Sequence, residues 1–553
     1  MAQAFRPLLL SRMRFCSLVL LLAAAVVIQV LALATDYFQS SLNSDYLLAE
    51  IFSRALSDPN YPISGWKFGS AGFFFPDYFL YLPSRALVGD EGLAYPVYAV
   101  VVFLLLGTTM AWSLAAAGVE QKRAVLSAGV TLLGLLLLQY APGHGDWLWR
   151  MGVPAYHGGT LVCGFALLAL VLGAVRSGWT RARSVSVVAL VALGGLSNAL
   201  LLVHWLAPMI LVWGWEACDN VTLKVGWRHL LGLSTVGIGL IVGVRGSLAL
   251  AEFFFFAPLV RDWPTPSAIW QTVSVFVESV TSGAVWRNQW AFWLVLVAAI
   301  VVVAARRGGP RSGGRQETAI RIATRTAWIG MLLAWFVIMV AAAWKDGTNL
   351  RYLLNWFVVP AWLLALHVAR LPRRLPLAPL VVAVSIGAIF VGGLRVEPRR
   401  LVLPTNAEAA ELRAYLEAHQ LREGLADYWH GHLLSALWRF EGPRLSHVRD
   451  KDFAYFWCNN AFGFFPTREE GGLGHPAPQF VLLAGLERAR LQAWLGGEPL
   501  QIDHVAGYDV AVLTTGQSGR AGELIEAQAR QLLVGRRARW LDARLPALDS
   551  VKR

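Results

Sequence analysis

The chain is poor in charged residues and in cysteine. Only 15% of its 553 residues are Asp, Glu, Lys or Arg, whereas 56% are hydrophobic. That composition excludes an ordinary soluble protein. The four cysteines, Cys16, Cys163, Cys218 and Cys458, include no CxxC pair. A disulfide framework or a cysteine-based zinc site is therefore not expected.

Acidic residues are also scarce relative to basic ones, which gives a formal net charge of +13. From Val396 to the C-terminus the chain has 19 Lys and Arg against 19 Asp and Glu, so the excess lies in the hydrophobic part. There the basic residues cluster in short connections, for example between Arg306 and Arg325. This pattern follows the positive-inside rule and argues against a surface for nucleic acid.

What the chain does have is a long series of apolar segments. With flanking residues, each is long enough to cross a bilayer as a helix. They are predicted at about 15–34, 96–117, 125–140, 158–175, 185–195, 199–215, 229–244, 291–305, 327–343, 353–368 and 377–391. We divide 185–215 into two helices because a single helix would place the Arg306–Arg325 cluster outside. An odd number of spans from an inner N-terminus leaves the C-terminal segment outside.

After residue 395 the composition becomes that of a soluble domain. Helices are predicted at 407–418, 432–438 and 487–495, with strands at 424–429, 479–484 and 509–513. This alternation is typical of a small α/β domain. The predicted fold is thus a polytopic α-helical membrane protein with about 11 transmembrane helices, residues 1–395, and an extracytoplasmic α/β domain, residues 396–553.

The first predicted outer loop, residues 35–95, is rich in acidic and aromatic residues. Short interfacial helices are predicted at 45–56 and 77–88 from the apolar spacing. The acids are Asp36, Asp45, Glu50 and Asp77. They are either solvated loop charges or members of a reaction site held over the membrane.

A transferase outside the membrane has no ATP to use and requires a lipid-linked activated donor. Such a site needs a carboxylate to take a proton from an acceptor hydroxyl and cations to hold the donor phosphate. Asp45 or Asp36 meets the first need, and Arg351 with Lys345 meets the second. His144, Asp146 and His157 share one outer loop, where they bind zinc, position an acceptor, or act as polar caps.

Three segments of the chain resemble a known family. NSDYLLAEIF at 43–52, FFPDYFLYLP at 74–83 and NLRYLL at 349–354 are similar to the GT-C superfamily of polyprenyl-phosphate-sugar-dependent glycosyltransferases. The most similar branch contains protein O-mannosyltransferases and lipid A aminoarabinose transferases. The resemblance implies that Asp45 is the catalytic base, that Glu50 and Asp77 contact substrate, and that Arg351 faces the donor phosphate. Tyr46 stands where the family often has a second acid. Whether the site binds a divalent metal ion, and whether Asp36 or Asp45 is the base, therefore stays open.

The sequence therefore predicts an inverting glycosyltransferase of the bacterial inner membrane with a periplasmic C-terminal domain. Its partners would be a polyprenyl-phosphate-sugar donor, an envelope glycan, lipid or protein acceptor, and the lipid bilayer, but no nucleic acid. The mechanism requires Asp45 and Arg351 to share one cavity. The alternatives are a polysaccharide polymerase or ligase, a lipid-linked glycan flippase or transporter, and a receptor with a periplasmic tail.

Overall fold

A computed structural model of the chain describes a defined set of segments. These are residues 44–57, 66–68, 72–138, 149–198, 200–219, 223–253, 255–256, 264–281, 290–306, 314–343, 352–370, 406–448, 459–460 and 477–528. The chain divides into two compact units. Unit 1 is Met1–Phe38, Phe73–Ser247 and Val260–Leu401, and unit 2 is Gln39–Gly72, Leu248–Leu259 and Val402–Arg553. Unit 2 therefore combines the C-terminal residues with part of the first predicted outer loop.

The described elements are mostly helices. They are α1 Ser44–Ser57, α2 Phe79–Val88, α3 Glu91–Ala116, α4 Gln121–Leu138, α5 Gly158–Ser177, α6 Arg181–Ser197, α7 Ala207–Asp219, α8 Leu223–Phe253, α9 Pro266–Thr281, α10 Trp290–Arg306, α11 Arg315–Val340, α12 Leu354–Val368, α13 Ala407–Ala418, α14 Tyr428–Leu437 and α15 Arg488–Trp494, with a further helix at 515–528. The strands are β1 Trp66–Phe68, β2 Phe255–Phe256, β3 Glu423–Asp427, β4 Arg444–Val448, β5 Asn459–Asn460, β6 Phe480–Leu482, β7 Gln501–Val505 and β8 Tyr508–Val512.

Nine of the predicted spans fall wholly or mostly in the described part of the chain, and each contains a helix there. Within that part, three helices are long and apolar enough to cross a membrane: Leu93–Ala116, Gly158–Ser177 and Arg315–Val340. Shorter apolar helices run over Leu231–Gly246, Val295–Ala304 and Leu354–Val368. The predicted spans 15–34 and 377–391 lie outside the described residues, so the count of eleven is not confirmed.

The predicted break inside 185–215 is confirmed. The chain leaves helical geometry at Asn198, which has φ −150° and ψ 111°, between α6 and a short helical turn at Leu202–Leu206. A Cβ on Gly194 would lie 2.2 Å from a methyl carbon of Leu201. A larger residue at this position would require the Leu201 side chain to move, so glycine lets the two segments approach closely.

One end of the unit 1 helices collects polar contacts to helix C-termini. Arg176 Nη1 donates to the carbonyl oxygens of Ala115 at 2.8 Å and Ala116 at 3.2 Å. Gln316 Nε2 donates to Gly118 O at 3.0 Å. These side chains satisfy carbonyls that a helix end leaves without an intrahelical donor. Three connections predicted to share one side of the membrane thus meet at one end of unit 1.

Unit 2 contains two sheets. The smaller sheet has the order β2-β1-β5, with β1 parallel to β2 and antiparallel to β5. The larger sheet has the order β4-β3-β6-β8-β7, in which β3 is parallel to β4 and β6. Its hydrophobic core includes Leu425, Val481 and Ala511, and a second cluster includes Leu412, Phe480 and Val510. A C-terminal α/β fold is thus confirmed for the described residues.

Several element boundaries in unit 2 differ from their predictions by up to four residues, most clearly around residue 427. The strand predicted at 424–429 ends at Asp427, because the Asp427 side chain accepts a hydrogen bond from His430 N at 2.8 Å and caps α14. Tyr428 and Trp429 are therefore helical. The strands β4 and β7 had no prediction, since their sequences RLSHV and QIDHV carry polar residues inside the β-branched pattern.

Candidate active site

Asp45 stands in the first turn of α1, in unit 2. Further along this helix, Glu50 is fully buried and pairs with Arg54 at 2.9 Å. The Arg54 guanidinium lies 4.3 Å from the centroid of the Phe440 ring, just beyond α14, and α1 packs against α14. Because both residues belong to α1, this ion pair holds Arg54 in position beside Phe440, and Arg54 makes the contact with the C-terminal residues. A direct contact between Glu50 and substrate stays a prediction.

Asp77 is fully buried in unit 1. Its carboxylate accepts hydrogen bonds from the Tyr98 hydroxyl and from the backbone N–H of Gly159. Burial raises the pKa of Asp77 from 3.8 to about 6, against the lowering effect of these two hydrogen bonds. A Cβ on Gly159 would lie 2.6 Å from Pro76 and 2.8 Å from Asp77 Oδ1, so only glycine fits there.

The position of Asp77 has a local cause at the start of α5. His157 precedes this helix with φ 69°, and its side chain makes no capping hydrogen bond. When the residue before a helix provides no side-chain cap, the first N–H groups of the helix need an acceptor from another part of the chain. Asp77, which lies far earlier in the sequence, supplies a carboxylate that accepts from the N–H of Gly159 in the first turn of α5. The structure therefore gives Asp77 a structural task, and its predicted contact with substrate is still to be tested.

His157 is the centre of a buried polar cluster at the same helix end. Asn198 Nδ2 lies 3.0 Å from His157 Nδ1 and 2.9 Å from Thr160 Oγ1. Asn198 Oδ1 accepts from Leu200 N at 3.0 Å, which identifies the other amide atom as the donor. His157 Nδ1 is then an acceptor, and a neutral ring carries its proton on Nε2.

Aromatic and backbone contacts bring two more segments to His157 and Asn198. Its ring centroid lies 5.7 Å from that of Phe73 and 5.8 Å from that of Tyr352. Phe73 N donates to Ser197 O at 3.0 Å, and Phe75 N donates to Ser197 Oγ at 2.8 Å. Four of the five connections that the sequence predicts on the outer side, those around residues 73, 157, 198 and 352, therefore meet at one place in unit 1. We call this set of contacts the outer cluster.

Several predicted site residues lie outside the described part of the chain. They are Asp36, His144, Asp146, Lys345 and Arg351, while of Asp45 only the backbone is described. Arg351 directly precedes Tyr352, a member of the outer cluster. Tyr98 and Asn198 had no predicted role, because a tyrosine near a span end and an asparagine in a turn are common in membrane proteins.

The described residues give little support for a metal site. No group of three His, Cys, Asp or Glu side chains is close enough to hold an ion within the segments that the structure covers. Of the zinc candidates His144, Asp146 and His157, only His157 is described, and its Nδ1 accepts from Asn198. The role of a divalent ion stays open for Asp36, His144 and Asp146.

The C-terminal sheet carries a second group of titratable residues. Asp427 Oδ1 lies 2.6 Å from His430 Nδ1, and this hydrogen bond raises the pKa of His430. The rings of His432 and His447 are both buried, with centroids 3.9 Å apart, and burial lowers the pKa of His447 to about 4. His432 and His447 therefore serve the packing of this domain.

Comparison with known proteins adds one distant likeness. No family model matches the chain, and no curated protein matches it. Among solved structures, the chain is similar to the crystal structure of the Archaeoglobus fulgidus oligosaccharyltransferase in complex with Zn and sulfate. The two are 13% identical, the match covers 86% of this chain and 69% of the other, and the TM-score is 0.42. A similarity at that TM-score carries no argument about the activity of this chain.

Proposed function

We propose that the protein is a membrane glycosyltransferase of GT-C type. It transfers a sugar from a polyprenyl-phosphate donor to a hydroxyl of an envelope glycan, lipid or protein, with inversion at the anomeric carbon. The outer cluster is the observation that supports this proposal. It joins the aromatic segment in the second half of the first predicted outer loop to the segment just after Arg351, and both belong to the resemblance.

The proposed reaction needs one base and one anion site. The acceptor oxygen attacks the anomeric carbon, and its proton passes to Asp45, or to Asp36 if that residue is the base. The bond between the anomeric carbon and the phosphate oxygen breaks, and the electron pair leaves with polyprenyl phosphate. Arg351 and Lys345 stabilise the charge that develops on the phosphate. Glu50 and Asp77 then act by holding segments of the site in place.

A transfer assay with membranes that contain the full chain tests the proposal. A panel of synthetic polyprenyl-phosphate sugars, labelled in the sugar, is supplied together with envelope acceptors. Transfer of label and release of polyprenyl phosphate are measured. Asp45→Asn is expected to lower the rate by about 10²- to 10⁴-fold, the usual worth of a positioned base. Arg351→Gln is expected to weaken use of the donor by about tenfold.

Glu120→Gln is the matched control, because Glu120 is an exposed acid just before α4 whose described ion pair is with Arg123 at 3.4 Å. It should transfer at the wild-type rate. Full activity of both Asp45→Asn and Asp36→Asn would refute a base from the first loop. Movement of label across the bilayer without bond formation would identify a flippase, and stepwise lengthening of one product would identify a polymerase.

A further inference from the structure

The turn between α6 and α7 contains a buried histidine whose contacts lead to the outer cluster. His204 lies in the π-helical turn Leu202–Leu206 of unit 1, and only 3% of its surface is exposed. Its ring donates a hydrogen bond to the backbone carbonyl of Tyr352, whose own ring contacts His157 in the outer cluster. His204 therefore holds the backbone of an outer-cluster residue from the interior of the helices.

The contacts of the ring show which nitrogen makes this hydrogen bond. His204 Nε2 is buried and has no hydrogen-bond partner in the described part of the chain. The donor to Tyr352 O is therefore assigned to Nδ1, which carries the proton of the neutral ring. The described polar contact of the His204 side chain thus passes through one N–H group.

A second hydrogen bond runs in the opposite direction between the same two segments. Asn355, in the first turn of α12, is buried, and its Nδ2 donates to His204 O at 3.3 Å. A π-turn departs from the regular helical ladder, and insertion of a side chain into that ladder is a known cause of such a distortion. His204 and Asn355 thus form a reciprocal pair of hydrogen bonds, which we call the His204–Asn355 clamp.

The clamp also lies against α11. A Cβ on Gly330 would lie 2.6 Å from His204 O, so glycine lets α11 pass close to the π-turn. Leu353, which precedes α12, makes no side-chain cap. The clamp therefore supplies hydrogen bonds that fix the start of α12 where the π-turn and α11 meet.

We propose that His204 is a positioning residue for binding of the polyprenyl-phosphate donor. Its Nδ1–H fixes the backbone of Tyr352, the residue next to Arg351, and so fixes the part of the chain that carries Arg351. The inference rests on the proposed function, in which Arg351 binds the donor phosphate. His204 itself does not touch the donor, and it acts through the segment that does.

Variants at position 204 test which atom has this role. The full chain is purified in detergent, and three constants are measured: the KM for the donor, the KM for the acceptor, and the Kd for polyprenyl phosphate by native mass spectrometry. His204→Asn keeps an N–H near the position of Nδ1, so its constants should stay within about twofold of the wild type. His204→Gln, whose amide replaces Nε2 instead, and His204→Phe should raise the donor KM and the Kd about five- to tenfold.

Two further variants separate positioning from loss of packing. Asn355→Leu removes the other hydrogen bond of the clamp and should raise the donor KM as His204→Phe does. Combined with His204→Phe it should add little, because both substitutions break one clamp. Trp356→Phe is the matched control, since it removes a hydrogen bond of 2.8 Å between α12 and Met331 O on α11 without touching the clamp. It should keep the wild-type donor KM.

The acceptor KM distinguishes positioning from general damage. It should be unchanged in every variant, whereas general damage would lower the amount of active protein and leave both KM values as they are. The inference is overturned if His204→Gln binds the donor like the wild type, if His204→Asn is as weak as His204→Phe, or if the acceptor KM rises with the donor KM. It is also overturned if only the amount of active protein falls.

The wild-type protein separates this inference from the proposed function. If it transfers sugar and the variants show any of the overturning results, the proposed function stands and the role of His204 is wrong. A wild-type protein that neither transfers sugar nor binds polyprenyl phosphate would overturn the proposed function, and this inference with it.

Discussion

Because burial raises the pKa of Asp77, the stability of the protein should depend on pH. Moving its pKa from 3.8 to about 6 in the folded protein corresponds to a difference of about 3 kcal/mol between the two protonation states. Because the folded-state pKa is raised, this contribution is fully present below pH 3.8 and is lost as pH rises through 6. The wild-type protein should therefore gain stability from Asp77 as the pH falls from about 7 to about 4.

The variant Asp77→Asn removes this titration. Its amide is uncharged at every pH, like the protonated carboxyl of the wild type below about pH 6. The variant should therefore lack the gain in stability that the wild type shows as the pH falls, so its stability relative to the wild type should rise by up to about 3 kcal/mol between low and high pH. Thermal unfolding of the full chain in detergent between pH 4.5 and 7.5 measures this.

Asp90→Asn is the matched control, since Asp90 caps α3 by accepting from Leu93 N at 2.9 Å, and asparagine caps a helix equally well. It should unfold like the wild type at each pH. If the difference between wild type and Asp77→Asn is the same from pH 4.5 to 7.5, then Asp77 does not titrate in this range and the account of its burial is wrong.

Two further substitutions test the packing that supports the site. Gly159→Ala should lower the unfolding temperature, because its Cβ would meet Pro76 at 2.6 Å and overpacking costs about 1–3 kcal/mol, whereas Gly214→Ala, with nothing within 4 Å, should not. An unchanged unfolding temperature for Gly159→Ala would contradict this. Arg54→Met should destabilise unit 2 by about 1–3 kcal/mol, because it removes a charged hydrogen-bond donor from the buried carboxylate of Glu50. Arg490→Met, which breaks the surface ion pair with Glu487, should lower the free energy of unfolding by less than about 1 kcal/mol. Limited proteolysis should therefore cleave the Arg54→Met protein faster than the Arg490→Met protein.

The sequence predicts the helices of this fold well, because their signals are local. Apolar length alone identifies α5 and α11, and the alanine- and glutamate-rich helix Ala407–Ala418 is found at its predicted bounds, with Asn406 as its cap. The break at Asn198 was also predictable, since a Gly-Gly-Leu-Ser-Asn turn and the positive-inside rule point to it together. These predictions need no knowledge of what contacts what.

The site was harder to predict because its contacts are between distant residues. Tyr98 and Gly159 have no pattern that links them to Asp77, and the need for a carboxylate at the start of α5 arises only from the backbone of His157. The short strands β1, β2 and β5 are two or three residues long, which is below what period-two alternation reveals. Unit 2 could therefore not be assembled from sequence.

The assembly of unit 2 changes how Asp45 should be understood. The sequence suggests an interfacial helix that depends on the membrane for its position. In the structure α1 packs against α14, with Arg54 between the buried Glu50 and the ring of Phe440. The C-terminal residues thus determine where the first turn of α1 lies. If Asp45 is the base, then Phe440→Leu should lower the transfer rate with little change in donor affinity, because it loosens the helix without touching the phosphate site. If the Phe440→Leu variant lost transfer rate and donor affinity to the same extent, the substitution would instead have unfolded unit 2 as a whole.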